Sequence, residues 1–304
     1  MSRIVGVSSI SFDNGGVEEK IEKRIKIWGG LIDTAALDKP DIILLPEHFL
    51  FTGMDYKKSD VAELLPKGGP VTEFLSGKAK EYRTHIFASY YRKDKKGIYN
   101  SAVLFGREGK VIGAYDKTFP VVEEMSRDGI LPGKGAKVFQ TDFGRLGAVI
   151  CFDFNFRELF TEYKSKGVEL LCFLSAFRAG FMIPAAAFEN QVFIASTTPG
   201  ENSVIVDPLG RTLAESSMYG KIIFSKINLD SKVVHIDYNQ QKVANLKKKY
   251  KEYVKVDVAS PEAVYFLSSL HPKKSIEDMI KEFKVETLDK YFARARKERK
   301  RYLP

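Results

Sequence analysis

The chain has 304 residues, 44% hydrophobic, 29% charged and 12% aromatic, proportions that fit a globular protein with a sizeable core and exclude a disordered, collagenous or coiled-coil chain. Its charge is lopsided: residues 241–304 hold 17 Lys or Arg and 9 Asp or Glu, a net +8, while the first 240 residues carry only +1. This excludes a nucleic-acid channel through the main body, because phosphate binding needs cations clustered where the ligand sits.

In chain order, residues 3–10 (RIVGVSSI) read as a strand, and 17–37 place Val17, Ile21, Ile25, Trp28 and Ile32 at helical spacing among charges. Residues 41–45 (DIILL) form a strand apolar on both faces, as expected where both are covered, and it stops at Pro46-Glu47. A helix is expected over 72–83, a strand over 85–91, and a hairpin over 98–117 around Gly106-Arg107-Glu108-Gly109. The opening arrangement then recurs, with a strand at 146–152, a helix at 156–166 and a strand at 169–175. A helix at 181–190, a strand at 192–197, a hairpin over 202–214 about Asp207-Pro208-Leu209-Gly210 and a strand at 221–229 complete the body. Two copies of a β-α-β unit related by a pseudo-twofold would each supply a sheet with helices outside it, giving an α-β-β-α sandwich. No linker rich in Pro, Gly or Ser cuts the chain, so one domain over 1–230 is expected, followed by a helical extension over 231–304.

No apolar run approaches the roughly 18 residues that span a bilayer; the longest covers 170–177. The N-terminus leads directly into a strand without a leader-like segment. A cytoplasmic protein with no membrane partner is expected. Cys151 and Cys172 are too few for a disulfide framework.

Cys151 ends an apolar strand (GAVIC) just before Phe152-Asp153-Phe154-Asn155 and a helix start. Ligand sites in α/β layers lie beyond the carboxyl ends of strands, and a following helix N-terminus would favour the thiolate. A lone cysteine in an apolar strand is nonetheless more often a small buried hydrophobe, the role assigned to mid-strand Cys172. Of the four histidines, His48, His85, His235 and His271, only His48 stands next to a strand end, and no local signature supports a Cys–His pair. Glu47 follows the strand Ile43-Leu44-Leu45-Pro46, and Lys117 ends the strand 111–116. Taken singly, these are a loop acid and a surface lysine. Together, a carboxylate, an ammonium and a thiol at three strand ends make a base, an oxyanion partner and a nucleophile.

The segments Leu44-Leu45-Pro46-Glu47, Tyr115-Asp116-Lys117 and Val149-Ile150-Cys151-Phe152-Asp153 resemble the three signatures of the nitrilase, or carbon-nitrogen hydrolase, superfamily. Leu131-Pro132-Gly133, the run 138–147, Glu189-Asn190-Gln191-Val192 and Asn202-Ser203 extend the resemblance in order over about residues 3–230. It implies an α-β-β-α four-layer sandwich, with Glu47 as general base, Lys117 as the oxyanion's partner and Cys151 as nucleophile. A second family glutamate falls at Glu123 or Glu124. Glu124 is favoured, because seven residues after the lysine matches the branch opening Lys-x-x-Pro, here Lys117 to Pro120. Where many relatives have a histidine this chain has Phe119, which separates it from those branches. The implied activity is hydrolysis of a small linear carboxamide or carbamoyl compound to an acid plus ammonia or amine through a thioester, with neither metal nor organic cofactor. A nitrilase is the nearest alternative, and a non-catalytic scaffold or nucleic-acid binder the one from another class.

Arg178, following the strand 169–175, could bind a substrate carboxylate, although an exposed loop arginine or one paired with an acid is an equal reading. Glu189 is expected to be buried and hydrogen-bonded. Tyr56, Phe119, Phe152, Phe154 and Phe177 could line a pocket, but in a chain this aromatic most belong to the core. In the extension, helices are expected over 238–250, 259–270, 275–283 and 286–301. Leu288, Tyr291, Phe292 and Ala295 make an apolar stripe that must be covered. Association of copies into a dimer or larger oligomer is the expected use, as the family commonly associates through this region. Nucleic-acid binding is disfavoured, because Glu298 interrupts the run 294–301 (RARKERKR) and no interleaved stacking motif is visible.

Overall fold

The computed structural model describes residues 2–15 and 20–303; Val17, the first residue of the expected helical stripe, lies outside them. By its internal contacts the chain forms two compact units, one of Gly6–Lys226 and one of Ile227 onward with the residues before Gly6.

The body opens with β1 (Ile4–Ile10), α1 (Ile21–Ala36), β2 (Ile42–Leu44), α2 (Lys58–Val61), β3 (Glu63–Leu64), α3 (Pro70–Tyr82), β4 (His85–Lys93), β5 (Ile98–Phe105) and β6 (Val111–Asp116). After α4 (Val122–Ser126) come β7 (Phe139–Gln140), β8 (Arg145–Ile150), α5 (Arg157–Ser165), β9 (Leu170–Leu174), α6 (Met182–Asn190), β10 (Phe193–Thr197), β11 (Val204–Val206), β12 (Thr212–Glu215) and β13 (Ile222–Asn228). Among the described residues the first sheet runs β13-β1-β2-β4-β5-β6, with β3 beside β4, and the second runs β12-β11-β10-β9-β8-β7. The expected repeat is present strand for strand. β1, β2 and β4 pair in parallel and lead into antiparallel β5 and β6, as β8, β9 and β10 lead into antiparallel β11.

Side-chain alternation sets the layers. On β2, β4 and β5, Ile43, Ile86, Ala88, Val103 and Phe105 pack against Trp28 and Ile32 of α1 and Leu75 and Ala79 of α3. On the second sheet, Val149, Leu171, Phe173 and Ile194 pack against Leu159, Phe160, Ile183 and Ala187 of α5 and α6. The opposite faces meet: Phe87 of β4 stands edge-on to Phe139 of β7 at 5.2 Å, and Thr197 Oγ1 donates to the Ile10 carbonyl at 2.8 Å. The result is helix, sheet, sheet, helix. Each fully buried large apolar side chain contributes about 1.5–3 kcal/mol, so the continuous apolar strands at the centre of the two sheets, covered on both faces, account for much of the sandwich's stability. Helix α3 starts with proline in its first turn, and both Glu63 carboxylate oxygens accept its free N–H groups, from Val71 at 2.7 Å and Thr72 at 2.9 Å.

The C-terminal unit contains β14 (Ser231–His235), α7 (Gln240–Tyr250), β15 (Val254–Ala259), β16 (Val264–Ser269), α8 (Ile276–Glu282) and α9 (Leu288–Arg299). Residues 259–270, expected to be a helix, instead complete the hairpin β15–β16, and β14 pairs with β16 in a three-stranded antiparallel sheet. All of β16 except Tyr265 is buried, so its residues lack the two-residue alternation that marks a half-buried strand, and a short apolar run of this kind reads equally as helix. The unit has its own core, including Val234, Leu246, Leu267, Met279 and Ile280.

Candidate active site

Four chain segments converge at the carboxyl ends of strands. Glu47 follows β2, Lys117 follows β6, Cys151 follows β8, and Ala176 follows β9. Lys117 is clamped by its backbone: its N–H donates to the Asn100 carbonyl at 2.8 Å, and its carbonyl accepts from Gly133 N–H at 2.7 Å. Gly133 must be glycine, because a Cβ there would lie 2.1 Å from the Asp116 carbonyl oxygen.

The Lys117 ammonium donates to Glu47 Oε1 at 3.1 Å and to Glu124 Oε2 at 2.7 Å. Asn100 Nδ2 spans the same two carboxylates, at 2.8 Å from Glu47 Oε1 and 3.0 Å from Glu124 Oε1. Glu47 Oε2 accepts the Ala176 N–H at 3.1 Å, and the Cys151 thiol hydrogen-bonds to the Glu47 carboxylate. Glu124 is held by the first turn of α4, where its Oε2 also accepts Val121 N–H at 2.8 Å, whereas Glu123 is exposed. The four residues expected to act together, Glu47, Lys117, Glu124 and Cys151, are thus one hydrogen-bonded cluster.

Electrostatics set their resting charge states. Burial pushes the Glu47 carboxyl up, but Lys117, His48 and the Asn100 amide more than reverse it and hold it below the usual glutamate value. Burial works against the Lys117 ammonium as well, and the two glutamates hold its pKa above the ordinary lysine value. For Cys151, burial and then the Glu47 charge outweigh Lys117 and push the thiol up to about 12. The expectation that a helix N-terminus would favour the thiolate is therefore corrected. Cys151 opens a short 3-10 turn (Cys151–Asn155), and its surroundings keep the proton on sulfur at rest.

Cys151 has φ 47°, the left-handed region rarely occupied by residues with a side chain. Asp153 fixes this sharp exit from β8: its buried carboxylate accepts Ile150 N–H at 2.9 Å, the Tyr115 hydroxyl at 2.8 Å and Phe119 N–H at 2.8 Å. One carboxylate thereby ties the Cys151 turn to the segment bearing Lys117. His48 stacks on Tyr91 with ring centroids 4.1 Å apart, and its Nε2 lies 3.9 Å from Glu47 Oε1. Burial lowers its pKa to about 4, so it is neutral at pH 7. Glu47, His48 and Glu124 place donor atoms within 4.8 Å of one another, but the Lys117 ammonium already bridges the two carboxylates and supplies the positive charge they require.

Asn100, Asp153 and the Ala176 N–H were not singled out from the sequence. The usable signal for Asn100 was an amide in the middle of the apolar strand IYNSAVLF. Arg178 lies outside this cluster's hydrogen bonds; it is half-exposed and 3.7 Å from Glu201. Glu189 is not buried as expected: it lies exposed near the end of α6, 3.9 Å from Arg157. Phe154 and Phe177 belong to the aromatic core around Phe173, while Phe119 stacks on Phe156 at 3.7 Å and Phe152 meets the same ring edge-on. Cys172 is fully buried. Among the described residues no helix is long and apolar enough to cross a membrane.

A family model described as carbon-nitrogen hydrolase matches residues 4–232. Similar curated proteins include an omega-amidase NIT2 of Bos taurus, 29% identical over 230 residues, covering 66% of this chain and 81% of the relative. A chloroplastic omega-amidase of Arabidopsis thaliana is 27% identical over 246 residues, covering 71% and 67%. Among solved structures, Saccharomyces cerevisiae Nit3, of the nitrilase superfamily, matches with TM-score 0.65 at 21% identity over 82% of this chain and 95% of that one. An amidase from Nesterenkonia sp. matches with TM-score 0.65 at 18% identity over 82% and 97%. At these identities the two structures speak to the fold, which they share.

Proposed function

The chain belongs to the carbon-nitrogen hydrolase family and is a hydrolase acting on carbon–nitrogen bonds, and from that premise we propose that it cleaves a small linear amide through a thioester on Cys151. The observation that carries this reading is the Glu47 carboxylate, hydrogen-bonded at once to the Cys151 thiol, the Lys117 ammonium, Asn100 and the Ala176 N–H.

A thiol held protonated needs a base at the moment of attack. Glu47 takes the proton as Sγ bonds to the amide carbon and the carbonyl electrons move onto oxygen, where the Lys117 ammonium stabilises them. Collapse breaks the C–N bond, the proton passes from Glu47 to the departing nitrogen, and ammonia or an amine leaves. Water then gives a proton to Glu47 and attacks the thioester; the second collapse releases the acid, and the proton returns to sulfur. Glu124 and Asn100 act as positioning residues, holding the ammonium and the base in register. The test is a pooled panel of amides, carbamoyl compounds and nitriles, followed by ammonia release and intact mass. Turnover of an amide with a transient acyl adduct supports the reading; nitrile turnover alone would replace amidase by nitrilase, and inertness toward every pool would contradict both.

For the substrate we propose an amide bearing a carboxylate that Arg178 receives in exchange for Glu201. The omega-amidase relatives suggest a terminal amide, and Arg178 stands two residues after the Ala176 N–H that meets Glu47. Arg178→Ala is expected to raise KM about tenfold for carboxylated amides, the scale of one exposed charge-assisted contact, and to leave uncharged amides unchanged. Equal loss on both classes would remove this role.

The C-terminal unit is proposed to join copies into a dimer or larger assembly through the part of α9 that its own core leaves uncovered. Leu288 is buried, but Phe292 of the expected stripe is 41% exposed. Light scattering at micromolar concentration is expected to give at least a dimer mass; a monomer would exclude it.

A further inference from the structure

The net +8 of the last 64 residues is not spread evenly. In the C-terminal unit, Lys242 of α7, Lys281 of α8, Lys284 from the connection between α8 and α9, and Lys290 of α9 line one cleft of about 550 Å³ together with Glu277 and Glu286. None of the four lysines forms an ion pair among the described residues, whereas neighbouring basic residues are engaged. Lys247 donates to the Lys251 and Val254 carbonyls at 2.8 Å each, Lys249 pairs with Glu282, and Arg294 binds both oxygens of Glu286 at 2.9 and 2.7 Å. Glu286 is bound by Arg294 and also feels the Lys242 charge, so with Glu277 the only other acid in the lining among the described residues, ammonium groups outnumber carboxylates in the cleft.

An aromatic platform adjoins it. The Arg294 that holds Glu286 also lies over the rings of Tyr238 and Tyr291, 5.4 and 5.2 Å from their centroids. Tyr291 stacks on His235 at 4.2 Å, while Tyr238 is 72% exposed, and its backbone sits at φ 62°, a conformation that costs a residue with a side chain. No stacking motif is visible in the basic run itself; the structure assembles one from a loop and a helix more than fifty residues apart.

We propose that this cleft and Tyr238 bind single-stranded nucleic acid, the four lysines holding successive phosphates and the tyrosine ring receiving a base. A cationic groove beside a solvent-facing aromatic ring is the pairing by which such strands are held without sequence preference. A concave groove whose apolar lining, Ile280 and Val285, is buried suits a phosphodiester chain better than a flat lipid surface. Lys290 and Phe292 are two positions apart on α9, about 200° around the helix, so this face is distinct from the one proposed for subunit contact. The site is independent of the amidase chemistry.

The experiment is fluorescence anisotropy of a labelled oligouridylate with the full-length protein across a salt series. Binding should weaken with a log–log salt slope of about −3, the value for four phosphates on a single strand. The double variant Lys242→Glu/Lys290→Glu places acids in the first turns of α7 and α9, where a helix favours them, so the fold is preserved. It should lower the slope's magnitude by about 1.4 and cut affinity by roughly a hundredfold. Tyr238→Ala should weaken binding about tenfold while leaving the slope unchanged, because stacking releases no counterions. Absence of binding at low salt, wild-type affinity in the double variant, or retention on phosphatidylserine vesicles that the oligonucleotide does not displace would each overturn the proposal.

Discussion

Cys151→Ala is expected to lower kcat/KM by about 10⁴-fold or more on any amide the wild type hydrolyses, the scale of removing a nucleophile from a coupled catalytic group. The fold should be untouched. Alanine keeps the Cβ that position 151 already accommodates at φ 47°, and the thiol's hydrogen bond to Glu47 is one of several that carboxylate accepts. The measurement is ammonia release with intact mass of wild type and variant on the same substrate. Wild type should show a transient acyl increment and Cys151→Ala none. Turnover of Cys151→Ala within tenfold of wild type would sink the thioester mechanism, since no other thiol is available: Cys172 is fully buried in β9, and burial pushes its thiol far up.

Lys117→Met should produce the largest loss of stability of any single change at the site. The lysine is 2% exposed and is the cation between Glu47, 4% exposed, and Glu124. Removing one member of such a buried group costs about 3–5 kcal/mol, because the carboxylates left behind cannot be hydrated and repel each other. The sign of the pH dependence also reverses. In wild type the folded state holds Glu47 below its ordinary value of 4.5, so its contribution is present above pH 4.5 and is lost as pH falls through the depressed value. In Lys117→Met, desolvation and the neighbouring carboxylate push one of the two glutamates up. The folded state then binds a proton that the unfolded state has released, and stability falls as pH rises above about 4.5. Between pH 4.5 and 7 the wild-type Glu47 contribution is already complete, so urea midpoints of the variant should fall relative to wild type as pH rises through this window. Parallel curves would show that the ammonium does not hold the carboxylates in their charged form. Activity should be lost at every pH, because the oxyanion loses its cation.

The central cluster was legible because its members announce themselves by position. Glu47, Lys117 and Cys151 each stand where an apolar strand stops, and a charged or nucleophilic residue there faces the mouth of the layers rather than the core. Glu124 was separable from Glu123 only by spacing; the first turn of α4 is what turns one carboxylate toward Lys117 and leaves the other in water. Asn100 gave a weaker sign, since one amide in a buried strand reads equally as a ladder irregularity. Glu189 was misplaced because a helix next to the second sheet has an outer as well as an inner face, and a helix of nine residues whose apolar residues surround its axis does not mark which is which.

By itself the sequence determined the two-sheet body, through continuous apolar strands and a repeated β-α-β pattern, because local period and burial on both faces are written residue by residue. It also determined three strand-end residues of the site. Tertiary structure alone decided the charge states of the cluster, which depend on distances and burial shared by segments up to 129 residues apart, as between Ala176 and Glu47. The C-terminal unit depended on it too. There short strands and helices share similar local patterns, and only the pairing of β16 with β15 and β14 distinguishes a hairpin from the helix its composition suggested. The cleft of unpaired lysines and its tyrosine are likewise products of packing, since neither their proximity nor their lack of partners can be read along the chain.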